Sequence, residues 1–84
     1  MSIVNEIYTE ISLYEKYLNT IRPRCTEPEG IKLCKICEKD IDEFRALMST
    51  IETYSMTERM EILTMLRIQN DKLANIISNF DTTY

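Results

Sequence analysis

The 84-residue chain carries ten Lys and Arg against fourteen Asp and Glu, for a net charge of −4, with 44% hydrophobic and 29% charged residues and no histidine. A chain this short forms one domain, its composition is that of a globular fold rather than a disordered one, and its acidic balance argues against a nucleic-acid-binding module driven by phosphate neutralisation. No run of eighteen apolar residues and no basic leader precede the first periodic segment, so the expected setting is intracellular and cytoplasmic, without a membrane span.

The one glycine and the two prolines all fall within residues 23–30, as Pro23, Pro28 and Gly30. A sheet protein of this size needs turn residues every eight to twelve positions, so the rest of the chain reads as long helices. The first is predicted over about residues 3–21, where Val4, Ile7, Ile11, Tyr14, Leu18 and Ile21 alternate three- and four-residue spacings in a heptad seam. Ser2 is its expected N-cap, and Pro23 stops it by pushing the preceding residue out of the α region.

The second helix is predicted over about residues 27–53, with the seam Cys34, Cys37, Ile41, Phe44, Met48 and Ile51. Thr26 to Glu29 has the pattern of a capping box, with Pro28 in the first turn, where a missing N–H is harmless. Ser55 to Glu58 is a second capping box, and the third helix is predicted over about residues 56–80, with the seam Leu63, Leu66, Asn70, Leu73, Ile77 and Phe80. The tail Asp81 to Tyr84 is expected to be loosely ordered. Short connections make sequential helices antiparallel neighbours, so residues 1–84 are expected to form one antiparallel three-helix bundle.

Helices two and three carry more apolar surface than one seam requires. A short chain has few means of adding stability beyond disulfides, metals or partner chains, and exposed apolar patches usually mark interfaces. The expected partners are therefore a second copy in a homodimer and a further protein, with Tyr17, Leu33, Ile36, Leu47, Tyr54, Ile62, Met65 and Ile76 as interface candidates. Tyr8 and Tyr14 also fall on or beside apolar faces. Asn70, a polar residue in a leucine seam, either fixes helix register or lies at the edge facing water.

Without histidine, the chain lacks the base of the His-dependent triads and the commonest transition-metal ligand. One glycine also cannot supply a phosphate-binding GxxxxGK or GxGxxG loop. Carboxylate pairs such as Glu6 with Glu10 and Glu38 with Asp42 read as solvated helix faces, so no catalytic residue is assigned and no enzyme is expected. Cys34-Lys-Ile-Cys37 with Cys25 resembles one half of a two-pair zinc site, although the seam position of Cys34 and Cys37 suits packing as small hydrophobes. Arg22, Arg24, Lys32 and Lys35, within the basic stretch 22–39, suggest an anion site, or else helix-end electrostatics.

The function expected from these features is a small helical interaction module, a regulator, adaptor or inhibitor of the kind that viruses and phages encode, with no cofactor. Two alternatives remain: a zinc-stabilised module using Cys25, Cys34 and Cys37, and an anionic-ligand-sequestering protein using the basic stretch.

Overall fold

A computed structural model describes residues 2–82 and is all-helical, with three α-helices, two short 3-10 turns and no strand among the described residues. Helix α1 spans Ile3–Ile21, α2 spans Pro28–Met48 and α3 spans Met56–Thr82. The molecule is elongated, 45 × 21 × 15 Å, and its long dimension matches the roughly 40 Å of a helix the length of α3 at about 1.5 Å per residue.

Helix α1 starts where Ser2 accepts a hydrogen bond from the Asn5 N–H at 3.2 Å, satisfying one of the donors that a helix N-terminus leaves open. Its seam is buried through Ile7, Ile11, Tyr14, Leu18 and Ile21. Contrary to expectation, Pro23 does not push its predecessor out of the α region: Arg22 keeps φ −49° and ψ −46°, and the chain tightens into a 3-10 turn at Arg22–Arg24, whose opening positions need no N–H from Pro23. Helix α2 opens differently from the capping-box expectation: Glu27 is the N-cap, without a side-chain hydrogen bond, and Pro28 is the first helical residue. The reason lies in Pro28 itself, because a proline disfavours the α region for its predecessor. Glu27 accordingly has φ −77° and ψ 152°, which moves Thr26 outside the cap.

The expected run of the second helix to residue 53 is also corrected, since α2 ends at Met48 and a separate 3-10 turn occupies Ile51–Thr53. Local hydroxyls compete for the helix carbonyls here. Ser49 donates to Ala46 O at 2.7 Å and Thr50 to Leu47 O at 3.3 Å. Arg59, from the next helix, then takes Ile51 O at 3.1 Å and Glu52 O at 3.2 Å. Ile51 stays buried at 3% although its helix has ended. The Ser55–Glu58 box forms reciprocally, with Glu58 N–H donating to Ser55 Oγ and Ser55 N–H to a Glu58 carboxylate oxygen, both at 3.2 Å. Helix α3 reaches Thr82, beyond the expected end near residue 80; Thr83 and Tyr84 lie outside the described residues.

Helix α1 packs against both other helices, more extensively against α3 than α2. Leu63, Leu66 and Leu73 from α3 and Cys34, Cys37, Ile41 and Met48 from α2 complete the core. Side-chain pairs fix the alignments. Glu15 pairs with Arg45, the Tyr14 hydroxyl donates to Asp40 at 3.2 Å, and Arg22 bonds Glu38 at 2.7 Å. Along the other contact, Arg67 lies 3.8 Å from both Glu6 and Glu10. These ion pairs are half exposed, worth about 0–1 kcal/mol each, so they orient helices that apolar burial holds together.

Asn70 is the buried exception, at 3% exposure. Its amide N–H group donates to Glu10 O at 3.0 Å and to the Glu10 carboxylate at 2.7 Å, while its Oδ1 is buried without a hydrogen-bond partner. Its position belongs to the register reading rather than to the exposed edge: a directional bond inside a leucine seam fixes how α3 slides along α1.

Candidate functional site

Helix α3 has two unlike faces because successive residues advance about 100° around its axis. Leu63, Leu66, Asn70 and Leu73 share the inward sector. On the far side, Met65 and Ile68 are 56% and 49% exposed, and Met60, on the flank between the two faces, is 48% exposed. Thr64 sits among them, and its hydroxyl is satisfied within the helix by donating to Met60 O at 2.9 Å, so its polar group makes no demand on the outward surface. Thr57, Met60, Glu61, Thr64 and Met65 line an open groove of about 450 Å3 on this face. The flexible, polarisable methionines there conform readily to a partner's surface.

The interface candidates divide sharply. Ile36 and Met65 are half exposed or more. Tyr17, Leu33, Tyr54, Ile62 and Ile76 instead pack partly buried against the chain's own core, and Leu47 is likewise half-buried. The outward apolar surface includes residues that the seam analysis did not nominate as interface: Tyr8, Ile31, Met56, Met60 and Ile68. Met60 is signalled by the cluster of Met56, Met60 and Met65 on the third helix, and Ile68 only by the width of the α3 apolar arc. The rotation of α3, set by its packing on α1, decides which side of that arc faces outward. Tyr14 goes entirely inside, at 1% exposure, against Phe44.

The cysteines do not converge. Cys25 approaches Cys34, and the approach depends on Gly30: a Cβ there would stand 2.9 Å from Cys25 Cβ and 3.2 Å from its Cα. Cys37 turns instead toward Tyr14 and Asp40. Among the described residues, no group of three or more Cys, Asp or Glu side chains is placed to hold a metal ion. Burial pushes the Cys34 thiol up, with Cys25 adding to it. Cys37 is also pushed up by burial, against a lowering hydrogen bond from Tyr14. Metal binding and thiol exchange both require the thiolate, which these surroundings disfavour. Burial, with Cys37 and Asp40 alongside, likewise holds the Tyr14 hydroxyl protonated far into alkaline pH.

The basic stretch is partly spoken for. Arg22 is paired with Glu38, and the Arg24 guanidinium lies over the Phe80 ring at 5.3 Å from its centre, a cation–π contact that ties the end of α1 to α3. Lys32 and Lys35 are exposed on α2 and have no ion-pair partner among the described residues. Of the carboxylate pairs, Glu6 and Glu10 both face Arg67, while Glu38, Asp42 and Glu15 line a shallow cleft with Arg22.

No described helix is long and apolar enough to cross a membrane. No protein-family model, no curated protein and no solved structure matches the chain.

Proposed function

We propose that the protein is an antiparallel three-helix bundle that acts as a protein-interaction module, a regulator, adaptor or inhibitor working by binding rather than by catalysis. The topology rests on the order of the cross-helix pairs: partners on α2 fall from Arg45 to Glu38 as α1 runs from Glu15 to Arg22, whereas Glu6 and Glu10 meet Arg67 and Asn70 in ascending order. In this reading the module also self-associates, most simply as a two-fold dimer, since a chain of this size gains needed burial from a second copy.

The observation that carries the reading is the outward face of α3, where the neighbouring Met65 and Ile68 are about half exposed, next to a groove lined by Met60 and Met65 at its two sides. Single exposed apolar residues are ordinary, but a contiguous set on one helix favours docking of another surface. The charged or hydroxyl-bearing outer positions of α1, such as Ser12 and Lys16, lack this character.

Site-specific photo-cross-linking in the native cell tests the reading. A photoreactive residue at Met65 is expected to give discrete protein adducts that the same residue at Ser12 does not. Equal labelling from both positions, or none from Met65, would contradict it.

A further inference from the structure

We infer that the outward face of α3 is self-complementary, docking antiparallel on α3 of a second copy of this chain about a two-fold axis between Met65 and Ile68, with Glu61 of each copy opposite Lys72 of the other. The inference rests on the reading of this face as an interaction surface and goes beyond it by naming the occupant and the register.

Glu61, Met65, Ile68 and Lys72 are spaced four, three and four residues apart. At about 100° per residue they fall within a sector of roughly 60°, centred about 150° from the inward residues Leu63, Leu66, Asn70 and Leu73. All four are exposed. The spacing is symmetric about the midpoint of Met65 and Ile68, so a two-fold rotation perpendicular to the helix carries the set onto itself in reverse order. Met65 then meets Ile68 of the other copy, and each acid meets a base. Isologous interfaces have this property of one patch complementing itself.

Charge also selects the direction. A parallel pairing in register places Glu61 against Glu61 and Lys72 against Lys72, and like charges across an interface are repulsive. Among the other charged α3 side chains, Glu58 caps the helix, Arg59 pairs with Glu52 and Arg67 faces Glu6 and Glu10, while exposed Asp71, also outside any ion pair among the described residues, lies about 90° around the helix from the centre of this sector. Glu61 and Lys72 have no ion-pair partner among the described residues. The antiparallel arrangement supplies one to each.

The test uses the full chain, kept reduced, in sedimentation equilibrium from ~1 µM to ~1 mM. Wild type is expected to associate to twice 10.0 kDa. Glu61→Lys alone opposes lysine to lysine and Lys72→Glu alone opposes glutamate to glutamate, so each is expected to raise the dissociation constant about tenfold or more. Mixing the two variants restores opposite charges at both pairs, as does the double variant E61K/K72E, and both samples are expected within about threefold of wild type. All four positions are exposed, and unchanged helical circular dichroism confirms that the variants fold. Equal association of every sample would overturn this register while leaving the interaction reading intact. A wild type that stays at 10.0 kDa throughout would overturn the inference, and cross-linking from Met65 then judges the broader reading by itself.

Discussion

The two faces of α3 carry similar side chains into opposite environments. Leu66 is 0% exposed against α1, while Ile68, two residues along and about 200° around the helix, is 49% exposed. The inward face also contains a polar residue held by directional bonds, and the outward face contains methionines and a threonine whose hydroxyl is already used. Folding of the single chain accounts for the first face. Nothing within the described chain covers the second, so the two are expected to respond to substitution through different observables, stability for one and association for the other.

The strongest break of this contrast compares truncations on either side. Leu66→Ala removes a fully buried side chain and is expected to cost about 2–5 kcal/mol in chemical denaturation, whereas Ile68→Ala, measured at concentrations where the chain is monomeric, is expected to stay within about 0.5 kcal/mol of wild type. Comparable losses from both would erase the distinction. Next in size, Asn70→Asp sets a buried carboxylate against the Glu10 carboxylate and is expected to cost about 2–4 kcal/mol at pH 7. The new carboxyl has its folded pKa raised, so the part of the deficit due to its charge should shrink as pH falls through that raised value and vanish below the unfolded carboxyl pKa of about 3.9.

A cap tests whether α3 is held by its ends as well as its face: Ser55→Ala leaves the Glu58 N–H without its side-chain acceptor and is expected to cost about 1 kcal/mol. The smallest effect concerns pH. Cys34, Cys37 and Tyr14 all have folded pKa values above their unfolded ones. Their contribution is therefore fully present below the unfolded pKa of cysteine, about 8.5, and is lost as pH rises beyond it. Thermal denaturation should show a melting temperature that declines above about pH 9 and a shallower decline in Cys37→Ala; an identical decline in the variant would assign it to other groups.

What could be read from the sequence follows the range of the forces involved. Ser2, the Ser55–Glu58 box and the three seams depend on residues three or four apart, and each was visible in the residue order. The end of α2 was only half visible: the Ser49 and Thr50 hydroxyls that take Ala46 O and Leu47 O are local, but the separate turn that follows is held by Arg59 reaching back to Ile51 O and Glu52 O from another helix. Thr26 misled for a local reason that Pro28 explains. The interface candidates were harder still: Ile62 and Ile76 belong to the same apolar arc as Met60 and Ile68, and only the rotation of α3 against α1 sorts covered from uncovered. Asn70 declared itself as an anomaly in the seam, but its partner Glu10 lies sixty residues away.

The central claim is that the outward face of α3 is an interface, and light scattering after gel filtration of wild type beside Ile68→Asp tests it most directly. The account predicts a concentration-dependent mass approaching twice 10.0 kDa for wild type and a mass of 10.0 kDa for the variant, with the same monomer stability. Equal masses for the two proteins at every concentration would contradict it.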